Sequence, residues 1–209
     1  MSDEGERGGG IYVHYPFCVH RCPFCDFTLI TPRNIPHQSY TDALISELTG
    51  RAASLKGPAQ TLYIGGGTPS LWSLGELGRF LDAVRREPGL VAEAEITIEA
   101  NPTEVSAPWL SEILARGINR VSLGIQSLRD DLLRSLERTH DAAQALWALD
   151  LLLSSDLGSV SMDMMFGIEG QTAEAWSVDR GQVRSLGVPH LSVYGLTGAE
   201  GTPLGDRVR

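Results

Sequence analysis

The residues from Ile11 to Phe27, IYVHYPFCVHRCPFCDF, decide how the chain is read. IYVHY is rich in β-branched and aromatic side chains, the composition of a strand. It leads into a loop that holds Cys18, Cys22 and Cys25, the only cysteines among 209 residues. Three thiols at such tight spacing cannot form a disulfide framework. They read as metal or cluster ligands in a reducing compartment, so a cytoplasmic protein is expected.

Outward from that strand the chain alternates short apolar runs with longer amphipathic ones. Strands are expected at 11–15, 61–66, 95–100, 120–127, 159–167 and 190–196, and helices at 38–56, 73–87, 106–116, 130–153 and 172–186. Ser73 stands three before Glu76, a capping-box spacing, and Ser106-Ala-Pro puts Pro108 in a first turn. Gly117 and Gly187 follow helices as C′ residues do. Regular strand–helix alternation implies an α/β fold with parallel strands, either doubly wound or most of a (β/α) barrel. The core domain is expected over 11–198, between an acidic, glycine-rich flexible tail at 1–10 and a C-terminal tail at 199–209.

Composition narrows the function. The formal charge is -9, with 42% hydrophobic and 21% charged residues. That is an ordinary soluble globular balance, and it argues against wrapping a nucleic-acid backbone or an anionic membrane. MSDEGERGGG has no apolar run behind a basic flank, and no stretch approaches the ~18 apolar residues of a membrane span.

Ligand sites of parallel α/β sheets form at the C-terminal strand ends. There the chain carries His14 and the cysteine loop, GGGTP from Gly65, Glu99 with Asn101 beyond it, Gln126 with Ser127, and Asp163. Period-two alternation sets Thr97 and Glu99 opposite Ile96 and Ile98, and Ser122, Gly124 and Gln126 opposite Val121, Leu123 and Ile125. One sheet face is therefore apolar and the other polar. Met162, Met164 and Met165 read as gap-filling core.

Three thiolates on one loop can hold zinc if His14, His20 or Asp26 supplies a fourth ligand, although the usual second pair of zinc ligands is missing. They can also be ordinary buried cysteines. The sharper reading is a [4Fe–4S] cube held through three irons, leaving one iron open to a small molecule.

C-x3-C-x2-C directly after a first strand resembles the radical S-adenosylmethionine (SAM) superfamily. YVHYPFCVHRCPFCDF, YIGGGTPS, TIEANP, GINRVSLGIQS, DMMFGIEGQT and HLSVYGLTGAEGTPL resemble, in that order, the oxygen-independent coproporphyrinogen III oxidases and their haem-chaperone relatives. The resemblance implies a partial (β/α)6 TIM-like barrel. It implies Cys18, Cys22 and Cys25 as [4Fe–4S] ligands, with SAM chelating the open iron and cleaved to methionine and a 5′-deoxyadenosyl radical. Gly66, Gly67 and Thr68 match the backbone that meets the SAM amino group. Tyr12, Phe24, Glu99, Gln126, Arg138, Asp163 and Thr197 match further SAM-contacting positions. Each also has a plainer reading: packing for Tyr12 and Phe24, a helix-surface charge for Arg138, ion-paired rim carboxylates for Glu99 and Asp163.

Within the family, the oxidase carries a fourth cysteine two positions after the third. Here that position is Phe27, in the CDF form of the haem-chaperone branch. Family members also continue beyond the sixth strand with a domain bearing an HNxxYW-like motif, which makes this sequence resemble a C-terminally truncated member. GIEGQT replaces the usual GLPGQT, with Glu169 for proline. The expectation is a radical SAM protein that binds haem and delivers it. A coproporphyrinogen-decarboxylating oxidase and a non-catalytic iron–sulfur or zinc protein are the alternatives. Partners implied are haem or a porphyrinogen and an external electron donor such as flavodoxin or ferredoxin. His20, His140 and His190 are candidate haem ligands, each with a plainer reading as a rim residue.

Overall fold

The computed structural model describes residues 9–55 and 57–208; the acidic stretch of the N-terminal tail, 1–8, lies outside them. The elements run β1 (Gly10–Tyr15), α1 (His37–Arg51), β2 (Ala59–Gly66), α2 (Leu74–Arg86), β3 (Leu90–Ala100), α3 (Ala107–Ala115), β4 (Arg120–Gln126), α4 (Asp130–Ser135), α5 (Ala142–Leu153), β5 (Ser159–Phe166), α6 (Ala173–Ser185), β6 (His190–Gly195) and α7 (Pro203–Val208). The six strands form one parallel sheet in the order β1-β2-β3-β4-β5-β6. A doubly wound sheet reverses its strand order at a switch point. This order never reverses, so the sheet is a partial (β/α)6 barrel.

Alternation along each strand builds the core. Val13, Tyr15, Leu62, Ile64, Ile98, Val121, Leu123, Ile125, Met162 and Met164 are buried on the helix-facing side. They pack against Leu77, Phe80 and Leu81 of α2, Trp109 and Ile113 of α3, and Ala145, Leu149 and Leu152 of α5. Met165 instead joins a smaller cluster with Leu132, Leu136 and Ile168, against which Phe24 and Leu196 rest. The last strand differs: Leu191 and Val193 of β6 are 46% and 41% exposed, so the sheet's final edge lacks the cover given to the others among the described residues.

Three local expectations need correction. The helix expected over 130–153 is two helices, because Glu137 adopts φ 52. The Glu137 N–H donates to the Arg134 carbonyl and the Arg138 N–H to the Leu133 carbonyl, the bonding of a Schellman stop with glutamate where glycine is usual. Ser73 precedes α2 without a side-chain cap bond; its N–H donates to His37 Nδ1 at 3.3 Å instead. The C-terminal segment expected as a tail carries α7, with Thr202 and Leu204 buried and the Leu204 N–H donating to the Pro23 carbonyl at 2.9 Å. Other signals hold: Ser106 Oγ accepts the Trp109 N–H at 3.3 Å, and Gly117 and Gly187 take φ 76 and 67.

Candidate cofactor site at the strand ends

A cavity of about 320 Å³ opens where the C-terminal ends of the strands meet the cysteine loop. Cys18, Cys22, Cys25, Phe24, Gly66, Gly67, Thr68, Glu99, Gln126, Arg138, Asp163 and Thr197 all line it. Of the cluster and SAM residues read from the sequence, Tyr12 alone stays outside. It is 61% exposed, its ring stacks on Tyr63, and its hydroxyl lies 3.0 Å from His14 Nδ1.

The loop is held shut at its base. The Cys18 N–H donates to the Ile30 carbonyl at 3.1 Å and the Ile30 N–H to the Pro16 carbonyl at 2.7 Å. Cys18 is buried with its Sγ 3.2 Å from Thr68 Oγ1, while Cys22 and Cys25 are part-exposed. Burial pushes the Cys18 and Cys25 thiols up, and the Thr68 contact at Cys18 and the Phe27 N–H at Cys25 oppose it. The glycine turn makes room beside them. Gly66 has φ 115, a conformation suited to glycine, and a Cβ at Gly67 would stand 2.7 Å from the Phe17 carbonyl and 3.0 Å from Cys18 Sγ.

Arg138 reaches the cavity because α4 stops where it does. Its Nη2 donates to Asn101 Oδ1 at 2.6 Å and to the Gly124 carbonyl at 3.0 Å, and its Nη1 lies 3.5 Å from Cys22 Sγ. The helix-surface reading of Arg138 is therefore set aside. Its buried Nε has no partner among the described residues.

Asp26, exposed on the cysteine loop, and the more sheltered Glu99 and Asp163 are the cavity's acidic groups. Tyr63 Oη donates to Glu99 Oε1 at 2.7 Å and the Gly66 N–H to Oε2 at 3.1 Å. Ser122 Oγ stands 3.2 and 3.3 Å from the two Asp163 oxygens. Burial raises both carboxyls, against these hydrogen bonds. The ion-paired rim reading fails here: among the described residues neither carboxylate has a salt-bridge partner. Desolvated acceptors with no cation in direct contact suit a ligand that brings donors of its own.

Of the three candidates for a fourth zinc ligand, Asp26 lines the cavity and the two histidines are engaged elsewhere. His14 has Nδ1 against the Tyr12 hydroxyl and Nε2 2.7 Å from the Thr28 carbonyl, and His20 Nε2 faces Glu137 Oε2 at 3.4 Å. Among the described residues no three His, Cys, Asp or Glu side chains are gathered to hold one metal ion. Three thiols around an open cavity, beside a glycine turn and a cation, are a donor set that fits an inorganic cluster with a small polar molecule next to it.

Sequence reasoning named Asn101 and Ser122 without a partner for either, and it missed Tyr63. Alternation placed Ser122 on the polar face, and the same rule puts Tyr63 there. Their pairing with Asp163 and Glu99 is a tertiary fact. The haem-ligand reading of His140 is corrected too: the residue is 5% exposed, with Nε2 3.1 Å from the Ile125 carbonyl. His190 opens β6 at the end of the sheet away from the cavity, and of the three candidates only His20 lines it.

Comparison with known proteins follows the same lines. The family model described as the Radical SAM superfamily matches residues 12–178. The chain is 39% identical over 199 residues to heme chaperone HemW of Escherichia coli strain K12, covering 94% of this chain and 53% of that protein. It is 35% identical over 201 residues to anaerobilin synthase of Escherichia coli O157:H7, covering 95% of this chain and 45% of that protein. Among solved structures, Escherichia coli coproporphyrinogen III oxidase (HemN), a radical SAM enzyme, superposes with a TM-score of 0.85 at 30% identity, over 93% of this chain and 45% of that one. The chain spans about half the length of the curated relatives it matches.

Proposed function

The chain belongs to the radical SAM superfamily, and from that premise we propose that its cavity is the SAM-cleaving core of a protein that binds haem and delivers it to haem proteins. Cys18, Cys22 and Cys25 would hold a [4Fe–4S] cluster, with SAM in the same cavity. Such a cluster, when reduced, would supply the single electron for reductive cleavage of the SAM sulfonium. The protein's own residues would bind and orient. Arg138, already fixed by Asn101 and Gly124, would take the SAM carboxylate. The backbone of Gly66, Gly67 and Thr68 would meet the amino group. Glu99, Gln126 and Asp163 offer acceptors to SAM hydroxyls or ammonium, and Phe24 and Thr197 complete the wall. Tyr12 acts at one remove, through Tyr63 against Glu99.

The observation that carries the cofactor reading is the convergence of three thiols, the glycine turn, an anchored guanidinium and two unpaired carboxylates on one cavity. The haem reading rests on the likeness to HemW and on Phe27 at the place of the oxidase's fourth cysteine. His20 is the histidine best placed to meet haem at the cavity. An external electron donor, a flavodoxin or ferredoxin, supplies the electron, since the sequence has no recognisable flavin or nicotinamide motif. No helix among the described residues is long and apolar enough to cross a membrane. Three thiols gathered in one loop as cluster ligands suit a reducing compartment, which supports action in the cytoplasm.

The test is anaerobic reconstitution with iron and sulfide, reduction, addition of SAM and measurement of 5′-deoxyadenosine. Release that disappears in Cys22→Ala supports the reading; a reconstituted, reduced cluster that leaves SAM uncleaved overturns it. Haem titration followed by Soret absorption then tests delivery. Decarboxylation of coproporphyrinogen by the same preparation would favour the oxidase instead, the alternative supported by the TM-score of 0.85 to HemN.

A further inference from the structure

Between Pro16 and His37 the chain has no regular secondary structure, yet it must hold three thiols in fixed relation. Backbone bonds close its base, at Cys18 and Ile30, and a turn joins the Cys25 N–H to the Cys22 carbonyl at 3.0 Å. In the outer half, from Cys25 to Leu29, His14 Nε2 meets the Thr28 carbonyl at 2.7 Å. The other three carbonyl contacts come from one side chain: Arg21 Nη1 donates to the Cys25 carbonyl at 3.2 Å, and Arg21 Nη2 to the Phe27 carbonyl at 3.3 Å and the Leu29 carbonyl at 2.9 Å. The segment bends at Phe27 and Thr28, and that bend brings the three carbonyls to a single planar donor.

We infer that Arg21 is the positioning residue of the cysteine loop, fastening residues 25–29 so that Cys25 faces the cavity beside Cys18 and Cys22. The inference rests on the proposed cofactor reading for its purpose, but its geometry belongs to the chain alone. The other two thiols have separate tethers. Cys18 is fixed by its own N–H and by Thr68, and Cys22 lies against Arg138. Cys25 depends on the segment that Arg21 gathers. A lysine would keep the charge but, as a single point donor, could not span three carbonyls in a plane.

The test compares the full chain with Arg21→Met and Arg21→Lys in two measurements. The first is alkylation of each thiol in the metal-free protein, resolved by mass spectrometry. Arg21→Met is expected to speed alkylation of Cys25 about tenfold relative to Cys18 and Cys22, with Arg21→Lys between. The second is iron and sulfide per chain after anaerobic reconstitution, expected to fall several-fold in Arg21→Met and partly to recover in Arg21→Lys. Wild-type alkylation and full iron uptake in Arg21→Met would overturn the inference. So would equal acceleration of all three thiols with loss of far-UV circular dichroism, which marks general unfolding. If the wild-type chain itself takes up no iron, the cofactor reading fails, while the alkylation pattern still decides the role of Arg21.

Discussion

Ile98 and Glu99 are consecutive on β3 and live in opposite chemistries. Ile98 is fully buried in the helix-facing core, and Glu99 faces the cavity with a tyrosine hydroxyl and one amide for company. The same division runs across the sheet, with Leu123 against Ser122 and Gly124, and Met162 against Asp163. The helix-facing side holds the fold together by apolar burial. The concave side keeps desolvated polar groups that a purely structural sheet would replace with apolar ones. Stability and binding should therefore separate by face, even between neighbours.

The largest break expected is on the helix-facing side. Ile98→Ala removes most of a fully buried side chain and leaves a cavity among Ile64, Val121 and the helices. The cost should be about 4 kcal/mol by denaturant unfolding. Molecules still folded should bind SAM as the wild type does after reconstitution. If SAM binding fell in proportion to stability, the two faces would not be separable.

His140 is the titratable member of that buried side. Burial first, and the nearby Arg138 charge second, push its pKa from the ordinary 6.5 down to about 4. The folded chain therefore holds it neutral while the unfolded chain protonates it below about pH 6.5. Stability present above that pH is lost as the pH falls towards 4, by about 3 kcal/mol in all. His140→Phe should flatten this part of the stability–pH curve. An unchanged slope would mean the ring is solvated.

Next in size is a loss confined to the concave side. Arg138→Met removes the guanidinium that Asn101 and Gly124 hold. SAM affinity of the reconstituted protein should drop by about 2 kcal/mol in calorimetry, the scale of a charged hydrogen-bonded pair. The same substitution should cost the fold no more than about 1 kcal/mol. A larger stability loss with intact SAM binding would assign Arg138 to the scaffold.

The two faces were not equally legible. Short β-branched runs located all six strands, and period-two alternation assigned the two faces of β3 and β4. The thiol loop stood out by composition alone. The sequence pattern instead ran one helix through 130–153, since the Schellman stop at Glu137 lacks the glycine that would signal it. That hidden break is what aims Arg138 at Asn101, so pattern alone left Arg138 on a helix surface and only family likeness placed it in the site. Tyr63–Glu99 and Ser122–Asp163 join residues 36 and 41 apart in sequence, and no local signal records such pairs. α7 was missed because its six residues carry too little periodicity to read.

The smallest expected effect is the most discriminating. In Glu99→Gln the amide oxygen can still accept from Tyr63, but the amide nitrogen cannot accept the Gly66 N–H, so one hydrogen bond is lost. Removing a desolvated charge offsets that loss, and the net change in unfolding free energy at neutral pH should lie within about 1 kcal/mol. The pH dependence should change instead. Burial raises the folded pKa of Glu99, so the wild type has its full contribution from this group below the unfolded carboxyl pKa and loses it as the pH rises through the folded value. The glutamine variant lacks that decline, and the difference between the two proteins should shift in the variant's favour as the pH rises. SAM binding should weaken in the same variant, since an acceptor facing the cavity has become a donor. A loss of stability above ~2 kcal/mol, beyond that of one hydrogen bond, would make Glu99 a structural residue. The concave face would then be holding the sheet together as the helix-facing side does.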